Sequence, residues 1–343
     1  MHLDQRGHPL HTRSLTVSVT QREAGHLDCQ ASLLDLRKRG FVPVGGDLQS
    51  SGIVHQMHLA GIIDATTGTV EALEATQPSV AFEASATTGG ESCRDVIGNV
   101  AGLAGTQLGE AWPPQVASEI GGPRGCYHLV TLAHLLGSTA TWALGRERTL
   151  RPDAPARPAG QRVFRRDVII DGAADQQGHV TLALQLIDLH FSDADGMVPA
   201  MTRFAESLEV QILATVELRT MTLGAITVAD RRCPVDEVAT AAWRSRLDVQ
   251  ERLVGMPALR GYGARVRELF GDAADDRPIL DALLQLAPTL IQVFATISDA
   301  WPAAAAREGW LVGMSGYADS CYMWRRGGGL DRARTPADPD RSY

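Results

Sequence analysis

The chain has 343 residues, with 40 Asp and Glu against 32 Lys and Arg, for a formal net charge of −8. That length accommodates two domains, each with its own core. The acid excess and the lack of any basic tract argue against a nucleic-acid partner, because phosphate contacts need clustered Lys and Arg.

The opening residues Met1-His2-Leu3-Asp4-Gln5-Arg6 carry no apolar h-region, so no signal peptide is expected. Apolar alternation and β-branched residues predict strands over 14–20 and 26–37. Gly40 to Gly52 reads as a Gly-rich loop, with the doublet Gly45-Gly46 as a turn. A strand over 53–64 ends at the turn signal Asp64-Ala65-Thr66-Thr67-Gly68, and 69–77 is its hairpin partner. Short connections make this meander antiparallel. The period then changes. Cys93 to Leu103 and Pro114 to Ile120 look helical, Gly121-Gly122-Pro123 breaks the chain, and Cys126 to Ala143 places Leu129, Leu132, Leu135 and Leu136 on one stripe. The most apolar run, Val130 to Leu144, is too short to span a bilayer and contains His134, so no membrane partner is expected. Residues 145–160 are rich in Pro and read as a linker. The order then recurs: strands at 163–171, 178–190, 207–217 and 220–229, and helices at 236–255, 257–270 and 278–297.

Fixed offsets connect the two stretches. Arg13 and Arg166 lie 153 apart, and so do Gly25-His26-Leu27 and Gly178-His179-Val180, and Asp35 and Asp188. Val54-His55-Gln56-Met57 lies against Leu208-Glu209-Val210-Gln211, Gly105 against Gly255, and Cys126-Tyr127-His128-Leu129 against Arg277-Pro278-Ile279-Leu280. The expected fold is therefore α+β, with two similar repeats, each an antiparallel β-meander followed by helices. Residues 1–147 form the first repeat, 148–161 the linker, 162–324 a degenerate second repeat with a C-terminal strand, and 325–343 a disordered tail.

Gly125-Cys126-Tyr127-His128-Leu129 opens a helix after a Gly-Gly-Pro-Arg-Gly loop. A thiol there feels the positive end of the helix dipole, which favours the thiolate. Two residues apart in an ideal helix, the Cys126 and His128 side chains diverge by about 200°. His55 and Met57 share one strand face, and His58 takes the other. Asp35 shares a face with Arg37, and His11 with Arg13. Asp188 persists opposite Asp35 while the Cys/His pair is lost, which favours a structural role for Asp35. Cys126, His128, His55 and Asp35 are the candidate catalytic groups, with Cys or His as nucleophile or acid/base on a small organic ligand. The alternative is a metal site, zinc or another transition metal, held by Cys93, Cys126, His128 and His55, or with Cys321. No C-x-x-C pair accompanies them, and none of the common phosphate-loop, zinc-protease or hydrolase motifs occurs. A third expectation is a non-catalytic ligand-binding or assembly protein. Five widely spaced cysteines do not form a disulfide framework, which implies a reduced, cytoplasmic protein.

The first stretch resembles the bacterial family of domain of unknown function 2889. The resemblance rests on His11-Thr12-Arg13, Leu34-Asp35-Leu36-Arg37, Val54-His55-Gln56-Met57, Gly102-Leu103 and Gly125-Cys126-Tyr127-His128-Leu129. Asp319-Ser320-Cys321-Tyr322 is similar to the family's C-terminal Cys-containing strand. The chain departs from the pattern at Tyr127, where the family has Thr, at Arg37, where it has Lys, and at Gln56, where it has an acid. By the resemblance, Tyr127 would narrow the site and Gln56 would remove a carboxylate. The resemblance implies a fold type and a shared pocket, and no activity.

Overall fold

Two-residue alternation builds the sheet. In β1 (His8–Gln21), Leu15, Val17 and Val19 are buried while Thr16, Ser18 and Thr20 face outward. The same alternation runs through β2 (His26–Arg37), β5 (Gly52–Asp64), β6 (Val70–Ser79), β7 (Arg162–Ala174), β8 (His179–Phe191), β9 (Phe204–Glu217) and β10 (Thr222–Pro234). These eight strands and the two-residue β11 (Arg244–Ser245) form one antiparallel sheet of nine, in the order β11-β10-β9-β8-β7-β1-β2-β5-β6. The expected loop at 40–52 instead contains a small hairpin of β3 (Val42–Val44) and β4 (Asp47–Gln49). The computed structural model describes residues 7–23, 25–38, 42–44, 47–49, 51–192, 204–234, 240–271, 274–297 and 318–334.

The seam of the sheet is the antiparallel pairing of β1 with β7, in which Arg13 sits opposite Ile170 and Leu15 opposite Val168. From that seam the strands run outward in matching order, β1-β2-β5-β6 on one side and β7-β8-β9-β10 on the other. Because the seam is continuous, both halves contribute to a single hydrophobic cluster rather than to two separate cores. Val17 and Val168 from the seam belong to it, as do Leu132 and Leu283 from helices of opposite halves.

The helices cover the sheet across this seam. α1 (Trp112–Ile120) is followed by α2 (Tyr127–Leu150), which outruns the predicted helix by seven residues and packs on β2, β1, β5, β7 and β8. α3 (Leu247–Leu253), α4 (Tyr262–Phe270), α5 (Arg277–Leu284) and α6 (Leu286–Ile297) follow the second meander, and α6 reaches back onto β1. Of the helix expected over 236–255, residues 236–239 lie outside the described residues, 240–246 are not helical because Arg244–Ser245 pairs with β10, and α3 covers 247–253 of the remainder. Cys93–Leu103 is a 3-10 helix rather than an α-helix, capped by Ser92 and Asp95 in a reciprocal box. Gly98 and Gly102 interrupt this segment and weaken its α preference.

A further correction concerns apolar length. Arg277–Ile297 is apolar and long enough by composition to cross a membrane, with a mean hydropathy of 1.5, but its most apolar window is 83% buried inside the fold. At the C-terminal end, Asp319–Tyr322 does not form the expected strand: Tyr322–Trp324 is a 3-10 turn. Nor is the whole tail unstructured, since α7 (Gly329–Arg334) packs with Leu330 fully buried and Gly329 N–H donates to Glu91 Oε2 at 2.9 Å. Residues 335–343 lie outside the described residues. Residues 152–160 of the Pro-rich linker are exposed except at Arg157, which donates to Glu147 and to the Phe191 carbonyl.

Local features recur at the expected offsets. Gly105 has φ +83° and Gly255 φ +82°, the left-handed region that favours glycine. Gly105 N–H donates to Val70 at 2.7 Å and Val70 N–H to Thr106 at 2.9 Å; Gly255 donates to Leu223 at 2.7 Å and Leu223 to Met256 at 2.9 Å.

Candidate functional site

The register brings three polar side chains into one buried row. Arg13 of β1 lies opposite Asp35 of β2, and Asp35 lies opposite His55 of β5. All three point to the helix-covered face and are at most 4% exposed. Arg13 grips the carboxylate bidentately, Nε to Oδ1 and Nη2 to Oδ2, each at 2.8 Å. His11 Nε2 lies 2.9 Å from Oδ1 and His55 Nδ1 lies 3.1 Å from Oδ2. Burial alone would raise the Asp35 pKa. The Arg13 guanidinium and the two imidazole hydrogen bonds instead hold it well below the usual carboxylate range. Asp35 is thus an anion whose oxygens are taken by Arg13, His11 and His55; Arg37 shares its face without sharing its oxygens.

The α2 N-terminus closes the site from above. Cys126 is its N-cap residue, in extended conformation (φ −104°, ψ 124°), so the ideal-helix divergence of Cys126 and His128 does not apply. The two side chains meet, with Sγ 3.8 Å from His128 Nδ1. Gly125 makes this approach possible: a Cβ there would stand 1.9 Å from the Ile120 carbonyl oxygen. His128 stacks on His55 with ring centroids 3.8 Å apart, its Nε2 lies 3.6 Å from Asp35 Oδ2, and the Gln292 amide of α6 contacts the same nitrogen at 3.0 Å. Burial first, then the neighbouring His55, pushes the His128 pKa well below its ordinary value, so its ring is neutral at pH 7 with a lone pair to offer.

The cysteines correct one expectation. Burial and the neighbouring Cys321 push the Cys126 thiol up to about 12, so desolvation outweighs the helix dipole and the free thiol stays protonated. Cys93 is also raised by burial and by Cys126 and Cys321, which places the three sulfurs within electrostatic reach of one another. Cys321 arrives because Tyr322 N–H donates to the Gly125 carbonyl at 2.8 Å. Cys93, Cys126, Cys321, His55 and His128 line one cavity of about 50 Å³. Asp35, His55 and His128 form a close donor group in the site, one donor atom of each lying within 4.8 Å of the others. The predicted residues Cys126, His128, His55 and Asp35 are therefore together, and Cys93 flanks them.

Tyr127 does not line this cavity; it faces a larger cleft on the other side of α2. Gln56 lies on the outward face of β5, away from the site. Sequence reasoning missed Gln292 and Gln77, whose Nε2 lies 3.5 Å from Met57 Sδ. For Gln292 the available signal was a polar residue within an otherwise buried apolar run; Gln77, between exposed Thr76 and Pro78, offered none.

The second half has the equivalent pair without the histidines. Arg166 donates bidentately to Asp188 at 2.6 and 2.7 Å, the same 22 residues apart as Arg13 and Asp35. Asp188 lies opposite Leu208, so the register counterpart of His55 is Leu208 and not Glu209. Asp281 of α5 also accepts from Arg166.

Residues 11–142 match the model of a family described as protein of unknown function (DUF2889). The chain is similar to that family over a segment running from β1 into α2, which contains His11, Arg13, Asp35, His55, Cys126 and His128. No curated protein and no solved structure matches the chain.

Proposed function

We propose that the chain is a metal-binding protein whose centre lies in the first half, with His55, His128 and Cys126 as ligands and Cys93 or Cys321 completing a four-coordinate set. The observation that carries this reading is the set of N and S donors around a cavity of about 50 Å³. A space of that size suits an ion; organic ligands fill pockets several times larger, on the order of 300 Å³ and more. Zinc bond lengths of about 2.0–2.3 Å at tetrahedral angles separate N and S ligands by about 3.5 Å. Cys126 Sγ and His128 Nδ1 already stand 3.8 Å apart.

Asp35 suits a supporting role. By accepting from His55 Nδ1 it leaves the opposite ring nitrogen as the ligand atom, the carboxylate–histidine arrangement common around protein-bound metals. Gln292 fixes the His128 ring: its Nε2 stands 3.0 Å from His128 Nε2 and donates to it, and ligation through Nδ1 would need the Gln292 amide turned so that its oxygen accepts from Nε2 instead. Arg13 already balances Asp35, so two thiolates would neutralise a divalent ion. Metal binding would displace the thiol protons that burial otherwise retains. A protonated thiol is a poor nucleophile, so we prefer this reading to covalent chemistry at Cys126.

The recurrence of order, ion pair and glycine turn supports a second part of the proposal. The chain contains two copies of one unit, and only the first keeps the centre, since Phe164, Leu208 and Ile279 stand where His11, His55 and His128 do. Five free cysteines fit a cytoplasmic setting.

Elemental analysis of the purified protein, with cobalt titration of the metal-stripped form, tests the centre. One metal per chain and thiolate-to-cobalt absorption are expected. Cys126→Ala and His128→Ala should each lose the metal, and Cys233→Ala, in the second half, should keep it. Equal metal content in all four proteins would sink the assignment.

A further inference from the structure

A second, larger cavity lies on the opposite side of α2 from the cysteines. It has about 530 Å³ and sits where α1 and α2 of the first half meet α4, α5 and the start of α6. Its walls are apolar, with Trp112, Val130, Leu135, Leu259, Leu284 and Pro288 among them. The volume is that of an ordinary small-molecule site. We infer that this cleft binds a small organic acid that also carries a hydrogen-bond donor, a ligand class separate from the proposed metal.

Two sets of groups point to that class. The first is cationic. Arg267 and Arg277 line the cavity, and among the described residues neither has a carboxylate within ion-pair distance. The other charged groups of the lining are Glu110, exposed at the rim, and Asp281, whose Oδ2 is already held by Arg166 and by Ser138 at 2.8 Å. Asp281 acts on both arginines only at a distance, and Arg267 otherwise donates to the Gly263 carbonyl at 3.4 Å, so a carboxylate entering the cleft would give each a direct ion pair.

The second set is buried and neutral. Tyr262 is 1% exposed and its hydroxyl has no partner; Gln285 is 4% exposed and its Oε1 has none. Both line the cleft. A buried polar atom without a partner is costly, and the great majority of such atoms are satisfied in folded proteins. Two of them around one cavity of this size mark the place of a ligand group. Gln285 Oε1 can only accept, so the ligand must offer a donor there, a hydroxyl or an amine. At position 112, which corresponds to Tyr262 across the halves, the Trp112 indole N–H is satisfied internally by the Ala133 carbonyl at 2.9 Å. The unpartnered hydroxyl is therefore peculiar to the second-half wall.

4-Hydroxybenzoate is a probe with both features, and benzoate, 4-hydroxybenzamide and benzylamine are its comparators. Binding to the full-length protein is measured by calorimetry and by saturation-transfer NMR. The acid should bind roughly tenfold or more tightly than the amide, and Arg267→Gln combined with Arg277→Gln should remove that preference. These arginines lie at least partly open to solvent, so the double variant should melt like the parent. Gln285→Leu should erase the advantage of 4-hydroxybenzoate over benzoate while leaving benzoate itself bound. The inference is overturned if none of the probes binds at millimolar concentration, if benzylamine binds as well as the acids, or if the double arginine variant retains full affinity. None of these results depends on whether metal is found at Cys126.

Discussion

Asp35 and Asp188 occupy corresponding positions, yet they should respond differently to the same substitution. Among the described residues Arg13 has Asp35 alone for a carboxylate, whereas Arg166 is also held by Asp281. Burial raises both Asp188 and Asp281, and Asp281 raises Asp188 further through like charge. Removing the Asp188 charge therefore relieves one repulsion and leaves Arg166 paired. Removing the Asp35 charge strands a fully buried guanidinium. Asp35→Asn is expected to cost about 3–5 kcal/mol, and Asp188→Asn only about 1–2 kcal/mol. Urea melts of the two variants give the comparison, and equal losses would show that the second carboxylate does not substitute for the first. At this scale the sequence told part of the story. Period-2 reasoning put His55 and Met57 on one face and His58 on the other, and the offset of 153 kept Asp35 and Asp188 in register. It paired Asp35 with Arg37 on the same strand, because cross-strand partners such as Arg13 depend on register and not on local spacing.

The elements themselves were legible wherever periodicity was strong. β2 begins and ends where alternation predicts, and the stripe of Leu129, Leu132, Leu135 and Leu136 is the buried face of α2. Caps and turns were less so. The meeting of Cys126 with His128 follows from an extended N-cap, which the helical period cannot express, and Gln292 reaches His128 from 164 residues away. The glycine turns after the first helical segment of each half, Cys93–Leu103 and Leu247–Leu253, offer an element-scale test. At both Gly105 and Gly255 the backbone is left-handed, and a Cβ would meet nothing within 4 Å. Only the conformational term remains, so Gly105→Ala and Gly255→Ala should each cost about 1 kcal/mol, and by similar amounts. Thermal or urea melts measure both. A large cost at one and none at the other would mean that the two turns carry different loads, and would weaken the reading of the chain as two copies of one unit.

For the molecule as a whole, length and offset suggested two self-contained bodies, but what joins them is a continuous strand pairing. β1 and β7 are hydrogen-bonded along nearly their whole length, α2 crosses from the first meander onto β7 and β8, and α6 crosses back onto β1. Offsets in a sequence can suggest that two stretches share a fold; they carry no information on whether those folds share a sheet. The consequence is energetic. Separating the halves would expose the long edges of β1 and β7 and strip the apolar covers from Leu15, Val17, Val168 and Ile170, all at most 1% exposed. The chain should therefore unfold as one cooperative unit, with circular dichroism and tryptophan fluorescence tracing the same urea transition. Residues 1–150 expressed alone should aggregate or remain unfolded. The same segment co-expressed with 161–343 should yield a soluble complex, because the exposed linker between them carries few of the contacts. Two resolved transitions, or a stable and monomeric 1–150 fragment, would show that the shared sheet is an adhesion of two independent domains and not the core on which both depend.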